Sequence, residues 1–168
     1  IEFPDLTIHN SGVPVPTAGA ARNDIPGMES ATHFVMADEQ KVAVPSNGSQ
    51  DLAIFKKQSN IIYADPQYFK LFLYTWIAGS PATALNEPFR VVLTESRAKT
   101  YFSSYDLKDL PGRQLIYNDT IKVTIAGIIK DITQPTDFTF KEFISRATIE
   151  NTGLRNRWNW EEWGSINS

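Results

Sequence analysis

The run Phe89-Arg90-Val91-Val92-Leu93 passes through Thr94 and Glu95 straight into a stretch whose apolar residues fall at Ala98, Tyr101 and Phe102. The first part is apolar except at Arg90 and reads as a mostly buried strand. The second has helical spacing, with Thr94 as the expected N-cap and Glu95 in the first turn, near the positive end of the helix dipole. A strand that turns into an amphipathic helix without a linker restricts the chain to folds in which helices pack on a sheet.

The flanking sequence is read in the same way. Period-two patterning predicts strands over Thr32–Ala37, Lys41–Val44, Leu52–Lys57 and Asn60–Ala64, separated by turns at Asp38-Glu39 and Ser46-Asn47-Gly48-Ser49. Asp65 is the expected N-cap of the next element, with Pro66 at its first helical position, where a missing amide costs nothing. Tyr68, Phe69, Phe72 and Trp76 would then lie on neighbouring helical turns, and Gly79 would stop the helix. Leu110-Pro111-Gly112 is a turn. Gln114–Tyr117 and Ile121–Ile129 are strands joined by a hairpin turn at Asn118-Asp119. In the second of them Ile121, Val123 and Ile125 alternate with Lys122 and Thr124, so one face is solvated. Gln134-Pro135-Thr136 is a loop, and Phe138–Ile149 reads as a strand extending into a connector. Residues 1–15, rich in proline, offer at most a short strand at Leu6–Ile8, and a weak helix is expected from Thr17 to Asn23 before the break at Pro26-Gly27.

The order of elements predicts an α+β fold, with split βαβ units in a two-layer sandwich. At 168 residues one domain is expected, with a single core well within reach. A net charge of −3 gives no broad electropositive field and disfavours nucleic-acid binding. The absence of cysteine excludes disulfides, thiolate nucleophiles and cysteine-ligated zinc. The chain opens on Ile1 with no charged-then-apolar leader, and its apolar runs are too short to span a bilayer, so it is expected to be an excised soluble piece.

Candidate chemistry is sparse. His9 and His33 are the two histidines, and neither has a carboxylate or histidine at ligand spacing, so no metal site is expected. The phosphate-binding pattern G-x-x-x-x-G-K-[ST] and the G-x-S-x-G nucleophile elbow are both absent. Glu161 and Glu162 stand among Trp158, Trp160 and Trp163, which invites a sugar-binding or glycosidase reading. Adjacent residues of a strand point to opposite faces, however, so those two carboxylates cannot flank one bond from a single strand. Packing by the tryptophans is the simpler account, as core packing is for Tyr68, Phe69, Phe72 and Trp76. The sequons at Asn47-Gly48-Ser49 and Asn118-Asp119-Thr120 double as turn chemistry and are read as turns.

Tyr63 to Phe102 also carries a longer pattern. Asp65-Pro66 leads into an aromatic segment, then Gly79, the loop Ala84-Leu85-Asn86-Glu87-Pro88, the strand ending Leu93-Thr94-Glu95-Ser96, and Ala98-Lys99 before Tyr101-Phe102. A second, shorter pattern is Ala126-Gly127-Ile128-Ile129-Lys130-Asp131, and a weaker one runs from Arg22 to Glu29. Together these resemble the MacB-like periplasmic core domain of FtsX-type ABC transporter permeases. The resemblance implies a porter-like lobe with a second, smaller β-rich lobe, in a single extracytoplasmic domain over 1–168. It implies a domain anchored at the bacterial inner membrane by segments outside this chain. The expected partners are its own transmembrane helices, an ATP-binding subunit, a second copy in a homodimer, and a periplasmic adaptor or lipoprotein. It implies no catalytic residue, no cofactor and no metal.

Two other readings stand beside it. One is a secreted carbohydrate- or ligand-binding module using Trp158, Trp160 and Trp163; the other is a hydrolase using Asp65, Asp137, Glu161 or Glu162.

Overall fold

The computed structural model describes residues 32, 34–37, 39–46, 51–133 and 139–152. The expected elements at Leu6–Ile8 and Thr17–Asn23, the turn residues Asn47–Ser49, the loop Gln134–Thr136, both histidines and the tryptophan-rich end lie outside the described residues.

The strands are β1 Phe34–Met36, β2 Gln40–Pro45, β3 Leu52–Gln58, β4 Ile61–Ala64, β5 Trp76–Ala78, β6 Arg90–Thr94, β7 Gln114–Tyr117, β8 Ile121–Ile129 and β9 Glu142–Ser145. The helices are α1 Tyr68–Leu71, α2 Glu95–Tyr101 and α3 Ala147–Glu150, with a 3-10 turn at Leu107–Asp109. Strands dominate, in one mixed sheet of order β1-β4-β9-β6-β8-β7-β2-β3, and β5 pairs separately with β8. The pairs β4–β9 and β6–β8 are parallel; the others are antiparallel. The α+β character expected from the sequence holds.

The central strands look continuously apolar because both faces of the sheet are covered. Ile61, Tyr63, Val91, Leu93 and Ile144 pack on one face with Ala98, Tyr101 and Phe102 of the α2 segment. Their neighbours Ile62, Ala64, Val92 and Phe143 point the other way, onto Tyr68, Phe69, Ala84 and Leu85. The period of two sorts each strand between two cores. Each valine, leucine, isoleucine or phenylalanine among them taken fully out of water contributes about 1.5–3 kcal/mol. At the hairpin, Asn118 and Asp119 have φ of 49° and 66°, the left-handed pair that a two-residue turn of this hand requires.

Four expectations change. The helix after Asp65 has only four residues, because Phe72 is already extended (φ −101°, ψ 108°). Trp76 therefore stands on β5 and not on a later helical turn, and Gly79 follows a strand. The aromatic cluster forms regardless: the Phe69 and Trp76 rings are 5.0 Å apart and Tyr68 and Phe72 4.7 Å. Strand pairing wins over helix continuation because the C-terminal half of β8 offers a free edge, which Trp76–Ala78 fill. Gly127 permits the approach, since a Cβ there would lie 2.5 Å from the Trp76 ring.

Asp65 and Pro66 precede the helix by a full turn. The Asp65 carboxylate accepts from the Gln67 amide at 2.9 Å and the Thr32 hydroxyl at 2.6 Å, so it closes a turn instead of capping α1 directly. Thr94 is the N-cap residue of α2 by position, but its side chain makes no capping bond. Asp131, from beyond the end of β8, accepts from the Ser96 amide at 2.8 Å and the Ser96 hydroxyl at 2.5 Å. Finally, the strand expected in this last stretch occupies Glu142–Ser145, and the short helix α3 stands where a connector was expected.

Candidate functional site: an enclosed charge cluster

The most unusual chemistry in the described residues lies between α2 and the sheet. Glu142 opens β9 and shares a face with Ile144, so its side chain enters the core beneath α2. It is 0% exposed. On α2, Arg97 and Tyr101 are four residues apart and meet on the face turned toward it. Tyr117 approaches from β7, on the same side of the sheet.

The Tyr101 hydroxyl donates to Glu142 Oε1 at 2.6 Å, and the Tyr117 hydroxyl donates to Oε2. Arg97 Nε lies 3.3 Å from Oε1. The rest of the guanidinium turns outward: Nη1 donates to the Gln58 side-chain oxygen, and Nη2 donates to the Ser59 carbonyl at 2.7 Å. Its carbon also stands 5.7 Å from the Tyr101 ring centroid, within cation–π range. One arginine thus ties α2 to β9 and to the turn between β3 and β4.

Loss of hydration is the largest influence on Glu142 and pushes its carboxyl above the usual range; the Arg97 charge and the two tyrosine donors pull the other way. Burial also raises the phenols. Tyr101 and Tyr117 are pushed well up, first by desolvation and then by the Glu142 charge. Tyr63, in the same core, is raised to about 12 by burial.

A carboxylate with both oxygens occupied and no exposed surface has no route to a substrate. The cluster braces. A buried ion pair costs desolvation and returns it only when the geometry is right, so its main effect is to select one arrangement of the elements it joins.

Of the sequence-derived candidates, Asp65 is buried and engaged in its turn. Asp137, Glu161, Glu162, Trp158, Trp160 and Trp163 lie outside the described residues. Among the described residues no group of three histidine, cysteine, aspartate or glutamate side chains is placed to hold a metal, and no helix is long and apolar enough to cross a membrane. Arg97, Glu142, Tyr117 and Gln58 escaped sequence reasoning. The available signal was Arg97 itself, a charge four residues before Tyr101 and so on the apolar stripe of its helix.

The loop Ala84–Pro88 is held by the same kind of long-range polar bond. Ser145 Oγ donates to the Leu85 carbonyl at 3.0 Å, and the Phe89 amide, at φ 58°, donates to Thr148 Oγ1 at 2.8 Å. Of the motif residues of Tyr63–Phe102, Phe69, Ala84, Leu85, Val92, Leu93, Ala98, Tyr101 and Phe102 sit in the cores, while Asn86, Glu87 and Lys99 are exposed.

The fold is an α+β domain built on one mixed sheet, and comparison with known proteins names its family. The model of the MacB-like periplasmic core domain matches residues 5–165. The chain belongs to that family. Among solved structures it is similar to a domain of a candidate permease protein from Porphyromonas gingivalis, with a TM-score of 0.61 and 22% identity over 77% of this chain and 56% of that one. It is also similar to the periplasmic region of MacB from Actinobacillus actinomycetemcomitans, with a TM-score of 0.61 and 16% identity over 87% of this chain and 61% of that one. At these identities the likeness is one of fold, and the chain spans less than two thirds of either structure. No curated protein sequence matches it.

Proposed function

We propose that residues 1–168 form a single, non-catalytic extracytoplasmic domain of an ABC transporter permease, held at the inner membrane by segments outside this chain. ATP hydrolysis by a separate domain or subunit moves the membrane helices, and this domain carries the movement to an exported substrate or an extracytoplasmic partner, such as an adaptor or a lipoprotein. The family match over residues 5–165 carries the reading. The braced sheet supports it, because a relay must move as a rigid body to transmit displacement.

The test is made on the full-length permease with its ATP-binding subunit in proteoliposomes. Deleting this domain is expected to abolish transport or partner activation while basal ATP hydrolysis persists. A parent protein with no membrane-spanning segment, or a purified domain that turns over a substrate by itself, would end the proposal.

A further inference from the structure

We propose that residues 79–89 form a strap over the core beneath α1, latched by α3, which opens as a local unit while the sheet stays folded. The strap joins β5 to β6. Residues 79–83, 86 and 87 are exposed, whereas Ala84 and Leu85, at 3% and 1% exposure, form a plug. The plug enters the core that holds Phe69, Val92 and Phe143. A segment with so few buried side chains is the kind that opens locally.

Both ends turn in the left-handed region. Gly79 has φ 83°, and a Cβ there would overlap the Ala126 carbonyl oxygen. Phe89, at the other end, has φ 58°, a conformation that costs energy in an aromatic residue and persists only where its surroundings hold it. The holding group is Thr148, 0% exposed, whose Oγ1 accepts from the Phe89 amide at 2.8 Å. Three residues earlier, Ser145 Oγ donates to the Leu85 carbonyl at 3.0 Å. Apart from the exposed Glu87–Arg90 pair, these are the side-chain bonds that tie the strap to the rest of the described residues. Both come from the short stretch that leaves β9 and enters α3.

Within the strap the bonds are local. The Ala84 amide donates to the Ser80 carbonyl at 3.1 Å and the Asn86 amide to the Thr83 carbonyl at 3.2 Å, so the strap keeps its turns when it lifts. The latch is less secure. α3 is a single turn with no side-chain cap, placed by the Arg146 amide on the Ala64 carbonyl at 2.9 Å, and a helix so short does not hold itself. A shift of about 1 Å in α3 takes the Thr148 bond out of hydrogen-bonding range. The strain at Phe89 then favours release. The strap thereby converts a displacement of α3 into a bared apolar layer on this face of the sheet. It rests on these contacts alone, so its failure leaves the transport reading untouched.

The chain has no cysteine, so Ala84→Cys and, separately, Val123→Cys each introduce a single thiol, one in the plug and one buried in the opposite core. With a soluble aromatic disulfide as the thiol probe, A84C is expected to react at least about tenfold faster than V123C, and with a weaker dependence on urea, because lifting the strap exposes little surface. V123C reacts through global unfolding and carries its full urea dependence. Adding Thr148→Val to A84C leaves the Phe89 amide without its acceptor and is expected to speed the reaction about tenfold. Thr148→Ser keeps the hydroxyl and is expected to leave the rate near that of A84C. Ser145→Ala, which frees the Leu85 carbonyl, is a second route to the faster reaction. Equal rates and equal urea dependence for A84C and V123C overturn the proposal, and so does a T148S variant that reacts as fast as T148V.

Discussion

Arg97 on α2 and Glu142 on β9 form an ion pair at 3.3 Å with side-chain exposures of 9% and 0%. Two tyrosines, one glutamine and one backbone carbonyl complete the shell around them. The pair cannot be halved cheaply. Arg97→Met leaves a buried carboxylate without its cation and is expected to cost about 3–5 kcal/mol in urea unfolding. The double variant R97M/E142M removes both charges and is expected to be more stable than R97M alone. A double variant less stable than the single one would show that the pair is not what holds these elements.

The same cluster sets a pH dependence. Because the folded-state pKa of Glu142 lies above its ordinary 4.5, the folded state holds that proton more tightly than the unfolded chain. Its contribution is fully present below pH 4.5 and is lost as pH rises through the folded value. Glu142→Gln is expected to flatten this limb of a plot of unfolding free energy against pH. At the alkaline end five of the six tyrosines, Tyr63, Tyr68, Tyr74, Tyr101 and Tyr117, are raised above 10.0 by burial. Their contribution holds below pH 10 and falls above it, so tyrosinate absorbance near 295 nm should grow together with loss of far-UV circular dichroism. Ionisation of all five with the fold intact would contradict their enclosure.

Gly127 faces Trp76 with no room for a methyl group. A Cβ would lie 2.5 Å from the ring and 2.9 Å from the Ala78 carbonyl oxygen. Gly127→Ala is expected to cost about 1–3 kcal/mol by forcing β5 off β8, with a change in tryptophan emission as the ring shifts. An unaltered melting temperature would mean that β5 yields freely.

Asp131 holds the start of α2 from 35 residues away in the chain. Asp131→Ala is expected to cost about 0.5–2 kcal/mol, the usual worth of a lost cap, and to speed amide exchange in the first turn of α2. Thr94→Val, which removes a hydroxyl that makes no capping bond, is expected to cost less than D131A. The reverse order would return the capping role to Thr94.

Much of the architecture was legible residue by residue. Strands β2, β3, β4, β7 and β8 followed from alternation, α2 from its stripe, and the hairpin from Asn118-Asp119. The run Leu71–Ala78 was not, because a short apolar stretch fits helix and strand periods alike. The choice there fell to the open edge of β8 and to the bare Cα of Gly127.

The sequence by itself determined the class of fold, the main strands and the family resemblance, because periodicity and turn chemistry act between near neighbours in the chain. Tertiary structure alone decided which charge is buried. Glu142 meets Tyr101 and Tyr117 across separations of 41 and 25 residues. A carboxylate on a strand carries no local mark of the face it will turn inward. Only the assembled sheet, with α2 laid across it, removes the water and supplies the donors that make the inward choice tolerable.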